Sequence, residues 1–161
     1  MIVNKMCKEK KPMILVLTEF SKRDRNASDA ALKLGIKLGL DLILLHAYTQ
    51  RYSPGIMHPL EDASYLSSIE KHFELEKERL QKQLQEMEKS AFRPNIESYG
   101  SDGALSQGVC DLLEQEDIVL IVMGGRPLKN NDYLFCTEID EILYTTQRPI
   151  LVVPEQHALK V

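Results

Sequence analysis

The sequence predicts an α/β fold: a doubly wound, five-stranded parallel sheet with helices between the strands. Three observations carry this reading. Residues 13–18, 42–47, 118–123 and 150–153 are short, nearly unbroken apolar runs rich in branched side chains, the pattern of strands buried on both faces. Stretches with three- and four-residue apolar spacing lie between them, so each strand returns through a helix and neighbours lie parallel with right-handed crossovers. The run at 118–123 stops at Gly124-Gly125, and the carboxyl end of such a strand is where open α/β sheets bind ligands.

The totals fit this architecture. A chain of 161 residues, 43% hydrophobic, makes one domain with enough apolar surface to close a core. Twenty basic against 24 acidic residues leave a net charge of −4, which argues against general binding to nucleic acid or an anionic membrane. Cys7, Cys110 and Cys136 stand far apart and read as reduced and structural. Residues 1–12 carry Lys5, Lys8, Lys10 and Lys11 with no apolar signal region behind them, and no run is long enough to span a membrane. The expectation is a cytosolic protein with a short N-terminal lead (1–12), one domain (13–154) and a C-terminal tail (155–161).

In chain order, Pro12 precedes the first strand, 13–18, and Glu19-Phe20-Ser21 leaves its carboxyl end. Residues 22–26 read as a charged loop. The helix expected over 27–40 has Ala30, Ala31, Leu34 and Leu38 at helical spacing and Ile36 on the flank, with Asn26 or Ser28 as N-cap and Gly39 near its end. Strand two, 42–47, follows. Residues 48–59, with two prolines, a glycine and two tyrosines, form a loop.

Residues 60–90 are the longest periodic segment. Leu66, Ile69, Phe73, Leu80, Leu84 and Met87 recur on one face, with Glu70, Lys71, Glu74, Glu78, Lys82 and Glu86 on the other, an amphipathic helix of about thirty residues. The apolar line falters at Glu76 and Lys77. Docking on the sheet is favoured over the alternative, a coiled-coil seam. A third strand over 94–99, beside Pro94, suits a sheet edge, and 100–103 turns the chain. A helix over 104–115 presents Leu105, Val109, Leu112 and Leu113. After strand four come a polar loop, 126–132, a helix over 134–147 bearing Ile139, Ile142 and Leu143, and the last strand, 150–153.

Common catalytic signatures are missing. Gly124-Gly125-Arg126-Pro127 is followed by no lysine and hydroxyl of a phosphate loop, no G-x-G-x-x-G follows the first strand, and G-x-S-x-G is absent. His46, His58, His72 and His157 fall in four different elements without zinc-ligand spacing. His46, at a strand end, reads as a structural histidine. Arg126 could steady a phosphate or simply be a solvated loop residue. Slow nucleotide hydrolysis would need a metal-binding carboxylate pair or a placed base, and neither is evident; the chain is read as a non-enzyme.

Four segments carry a family resemblance. Ile14-Leu15-Val16-Leu17-Thr18-Glu19-Phe20-Ser21 resembles the opening strand of the universal stress protein family, typically I-L-V-P-x-D-x-S and often T-D-F-S. Leu44-Leu45-His46-Ala47 resembles its second strand, which commonly ends L-H-V. The stretch from Asp117 to Gly124 is similar to its A-D-L-I-V-M-G, and that from Pro149 to Pro154 to its closing P-V-L-V-V. The match spans residues 13–154 in order. It implies an adenine nucleotide alpha hydrolase-like sandwich with strand order 3-2-1-4-5 and a cleft between strands one and four.

The resemblance also implies a ligand site. Nucleotide-binding members carry G-x-x-G-x9-G-[ST] after strand four, whose glycines and hydroxyl surround the phosphates. Laid on this chain, the first glycine is Gly124, the second falls on Pro127, and the third glycine and hydroxyl fall on Thr137 and Glu138. Proline has no N–H to donate, and a carboxylate repels a triphosphate. Glu19 replaces the family's strand-one aspartate, and the charged loop after Ser21 reads as longer than usual. The candidate cleft comprises Thr18, Glu19, Phe20, Ala47, Met123, Gly124, Gly125, Arg126, Thr137 and Glu138.

The expected function is that of a cytosolic regulatory or binding protein without a required cofactor, with ATP or AMP binding weak or lost. It would pair with itself through Ile150, Leu151, Val152 and Val153 and engage protein partners. The alternative is a sensor of an adenine nucleotide or other small molecule in the same cleft. A monomer whose last strand is covered by the tail is the alternative to the homodimer.

Overall fold

The computed structural model describes residues 9–48, 59–87, 92–125 and 137–154, apart from the side chains of residues 23, 59–63 and 137–139. The N-terminal lead before residue 9, the loop at 49–58, the polar loop after Gly125 and the tail at 155–161 lie outside the described residues, as do Cys7, Cys136, His58, His157, Arg126 and Pro127.

The element order is β1 (Pro12–Leu17), α1 (Lys22–Leu38), β2 (Asp41–Ala47), α2 (Pro59–Glu86), β3 (Ile96–Ser101), α3 (Leu105–Gln115), β4 (Asp117–Gly124), α4 (Thr137–Thr146) and β5 (Ile150–Val153). The sheet is parallel with order β3-β2-β1-β4-β5, the doubly wound order expected. Every central strand buries both faces. Ile14, Val16, Leu42, Leu44 and Val122 pack under α1 and α2, whereas Leu15, Leu17, Ile43, Leu45 and Ile121 pack with Val109 and Leu112 of α3 and Ile142 of α4. Each such side chain contributes about 1.5–3 kcal/mol by leaving water.

The start of α1 differs from expectation. Residues 22–26 are its first turns, not a loop, and the N-cap is Ser21 rather than Asn26 or Ser28. The Ser21 hydroxyl accepts from the Asp24 N–H at 3.4 Å, while the Asp24 carboxylate accepts from the Ser21 N–H at 3.3 Å. This reciprocal capping box uses aspartate where glutamate is commoner. The charged side chains masked it, because these turns contribute little apolar periodicity. Ser28 instead lies inside the helix, fully buried, its hydroxyl without a hydrogen-bond partner. Ser21→Ala is expected to lower stability by about 1 kcal/mol; a shift in the urea midpoint checks it. Leu32, absent from the expected apolar stripe, is fully buried, whereas Leu38 is exposed. Gly39 ends the helix in the left-handed region (φ 69°), its N–H donating to the Gly35 carbonyl.

Other details concern the strands and α4. β3 begins at Ile96 and runs through Gly100 and Ser101, residues expected to turn the chain. Its pairing with β2 extends to Ala47 opposite Ser101, and a Cβ at Gly100 would come within 3.3 Å of the Tyr48 ring. β4 carries an irregularity, since Met13 pairs with Ile118 and Ile14 with Leu120. Val119 is the extra residue, and its side chain faces solvent. Position 119 is therefore an exception to burial on both faces. α4 starts at Thr137 among the described residues and exposes Leu143.

α2 docks on the sheet through Ile69, Phe73, Leu80 and Leu84, not through a coiled-coil seam, and Leu66 is exposed rather than part of that line. Glu76, where the apolar line falters, is nevertheless buried. Arg79 neutralises it with two hydrogen bonds, 3.1 and 2.7 Å, and reaches Asp29 of α1 at 2.7 Å, where Gln83 joins at 3.0 Å. Burial would lower the Arg79 pKa, but its bonds to Glu76 and Asp29 outweigh that and hold it above the usual value. This network fixes α2 against α1. No helix of the described residues is long and apolar enough to cross a membrane.

Candidate functional site

Parallel strands deliver their carboxyl ends to one edge of the sheet, and that edge gathers most of the expected site. β1 pairs Val16 with Val122 of β4 and Leu17 with Leu45 of β2. Continued past the paired residues, those registers bring Thr18 level with Gly124 and with His46. Thr18 is buried, and its N–H donates to the Leu45 carbonyl at 2.9 Å. Ala47, Met123, Gly124 and Gly125 are partly buried at the same edge. Thr137 and Glu138 open α4, which leads back from it. Arg126 and the side chains of Thr137 and Glu138 are outside what is described.

The glycine pair has a packing role. Neither Gly124 nor Gly125 has positive φ. Gly124 pairs with Val153, and Gly125 donates its N–H to the Val153 carbonyl at 2.8 Å. A Cβ on Gly125 would stand 3.2 Å from Val152 Cγ1. Glycine thus lets β5 lie close beside the end of β4.

The turn between β1 and α1 is tightly wired. Phe20 N–H donates to Thr18 Oγ1 at 3.0 Å, and the Asp24 carboxylate accepts from Glu19 N–H and from the Ser21 hydroxyl, both at 2.8 Å. These bonds hold Phe20 at φ 61°, a conformation costing a non-glycine residue of order 1–3 kcal/mol. The result is to aim its ring across the ends of β1 and β2 toward α2. Phe20 lies 4.8 Å from the His46 ring, 5.2 Å from His72 in a stacked arrangement, and 5.0 Å edge-on to Phe73. Such pairs add about 0.5–1.5 kcal/mol each beyond burial.

Both histidines are oriented by main-chain carbonyls. His46 Nδ1 lies 2.8 Å from the Thr18 carbonyl and His72 Nδ1 2.6 Å from the Ser68 carbonyl. A carbonyl only accepts, so each Nδ1 carries the proton and each Nε2 is left to other partners. His46 is thus oriented by the main chain. Next to this group, the Tyr48 ring lies 6.2 Å from Tyr65 of α2. Partial burial, then the nearby Asp102 and Tyr99, raise the Tyr48 pKa. Among the described residues, no group of three or more His, Cys, Asp or Glu side chains is placed to hold a metal.

His72, Phe73 and Tyr48 were not among the expected site residues. No local pattern connects positions 20, 46 and 72; only the crossover that lays α2 over the end of β2 does. The fold, strand order and matched segments can now be set beside known proteins. A model of the universal stress protein family matches residues 13–154. The chain belongs to the universal stress protein family. Solved structures share the fold at low identity. A universal stress protein family member from Burkholderia pseudomallei has a TM-score of 0.65 at 16% identity, covering 88% of this chain and 95% of that one. A universal stress protein in complex with cAMP gives 0.62 at 16% identity, covering 91% and 98%. A universal stress protein family protein from Arabidopsis thaliana with AMP bound gives 0.55 at 13%, covering 89% and 91%. A sequence search among curated proteins found no match.

In open α/β sheets ligands bind outside the carboxyl ends of the strands, and in this universal stress protein the ends of β1, β2 and β4 share one edge. Among the described residues it presents main-chain groups, the buried Thr18 hydroxyl, the rings of Phe20 and Phe73 and two histidines, His46 and His72.

Proposed function

We propose that this universal stress protein is a cytosolic regulatory and binding protein, active as a homodimer, without catalysis of its own and without tight ATP binding. One observation carries the last point. The positions that would wrap a triphosphate are filled by Pro127, Thr137 and Glu138, and only Gly124 of the motif remains. Pro127 removes an amide donor. Glu138 puts a carboxylate where the motif has a hydroxyl, and a carboxylate repels a triphosphate. ATP is therefore expected to bind more weakly than about 100 μM, and calorimetry giving micromolar affinity would overturn this. Restoring the motif (Pro127→Gly, Thr137→Gly and Glu138→Ser together) is expected to strengthen ATP binding tenfold or more.

A second reading, a small-molecule sensor, is favoured by the ring-rich strand ends and by relatives solved with cAMP and AMP. Thr18, Glu19, Ala47, Met123 and Gly124 would line its site, with strand-end main-chain groups reading the ring of an adenosine-like ligand. Mass spectrometry of the denatured, freshly purified protein separates the two. A released nucleotide supports the sensor; none supports a protein whose partners are other proteins.

A further inference from the structure

We propose that Phe20 is an intramolecular occupant of the cleft: its ring stands where an external flat ring would lie, between His46 and His72, and latches the middle of α2 over the strand ends. The proposal rests on the small-molecule reading of the cleft, and it names what must move before a ligand enters.

Phe20 packs at the margin of the core that α1 and α2 cover, and three features mark it as an occupant. Phe20 is only partly buried, although its ring meets three others from two different elements. Its backbone is held in the left-handed region by bonds from Thr18 and from the Asp24 capping box, so the strain is maintained by the turn and not by the ring's surroundings. Such strain persists only where neighbouring structure over-determines it, and release of the turn would relieve it. Finally, α2 is attached unevenly. Its C-terminal half is fixed by Leu80, Leu84 and the Arg79–Asp29 bridge. Its middle holds to the body through Ile69, Phe73 and the stack of His72 on Phe20, while Tyr65, Leu66 and Leu75 are exposed. Segments with few buried side chains open first. With Phe20 swung out, the faces of His46 and His72 are presented to a ligand and α2 loosens above them.

The test uses the full chain with Phe20→Gly, which removes the ring and suits the positive φ, so that the fold is retained. Phe20→Leu serves as a second variant that keeps apolar bulk. Hydrogen exchange followed by mass spectrometry is expected to rise at least tenfold in Phe20→Gly for peptides spanning 65–75, with α3 and the C-terminal half of α2 unchanged and Phe20→Leu intermediate. Adenosine, chosen because it carries no phosphate and so bypasses Pro127 and Glu138, is expected to bind Phe20→Gly at least tenfold more tightly than the unmodified chain. Unchanged exchange at 65–75, or a rise spread evenly over all helices, overturns the latch. A selective rise without any gain in adenosine affinity overturns the occlusion. If neither protein binds adenosine, the sensor reading fails as well, and the exchange data still decide whether the ring holds α2.

Discussion

Gly35→Ala is expected to destabilise the protein by about 2–3 kcal/mol, lowering its thermal midpoint by roughly 5–10 °C. Gly35 lies on the buried side of α1, one turn before the helix ends. A Cβ there would stand 2.7 Å from Leu42 Cδ1, 2.8 Å from the Leu40 carbonyl oxygen and 3.2 Å from Pro94 Cγ. The leucine methyl could rotate away, but the carbonyl belongs to the backbone of the turn. That turn is anchored on Gly35 itself, whose oxygen accepts from both Gly39 N–H and Leu40 N–H, the latter at 2.9 Å. To admit a methyl group, the crossing from α1 into β2 must shift, and β2 is the strand on which both β1 and β3 pair. Alanine's better helix propensity returns only about 0.5–1 kcal/mol. Gly39→Ala is the control. It strains a positive φ but meets nothing within 4 Å, so it is expected to cost about 1–2 kcal/mol. Equal losses for the two, measured by denaturant unfolding, would show that close approach at Gly35 is not the cause.

The contrast between these glycines illustrates what the sequence makes legible. Gly39 was readable from its place after an apolar helical stripe, because helix ends follow local rules. Gly35 was not, because its neighbours Leu42 and Pro94 come from other elements. The same division runs through the fold. Uninterrupted runs such as that around Ile121 and Val122 marked the strands, since a strand buried on both faces admits almost nothing polar. Their order followed only from the family resemblance. The start of α1 was misplaced because its cap is made by polar side chains, Ser21 and Asp24, whose pairing leaves no apolar period. Val119 looks like any other apolar residue of β4 and faces solvent only because the register slips beside it. At the site, Thr18, Ala47 and Gly124 were foreseeable, as strand ends in a parallel sheet share one edge. The aromatic group was not, because it depends on a left-handed Phe20 and on how α2 crosses the end of β2.

In solution the protein is expected to have about twice the 18.4 kDa chain mass by light scattering, and Val152→Lys is expected to return it toward one chain. Among the described residues, β5 is an edge of the sheet, pairing only with β4. An unpaired apolar edge exposes N–H and C=O groups to any passing strand, and proteins cover, charge or pair such edges. Here the strand reads Ile-Leu-Val-Val, with no charged or proline residue inside it. Val153 turns into the core, whereas Val152 is 37% exposed. α4, which leads into this strand, leaves Leu143 and Tyr144 exposed as well. A two-fold pairing of β5 with its copy would complete the ladder on both sides and enclose Val152 and its neighbours in one self-complementary interface. A lysine at 152 would then place two ammonium groups, one from each copy, in an apolar seam without partners. Burying such charges costs several kcal/mol, enough to raise the dimer dissociation constant a hundredfold or more. The substitution leaves the monomer's core unchanged, because the side chain at 152 faces outward. A Val152→Lys protein that folds normally yet keeps the doubled mass would assign the interface to another surface, with the exposed Tyr65, Leu66 and Leu75 of α2 the next to test.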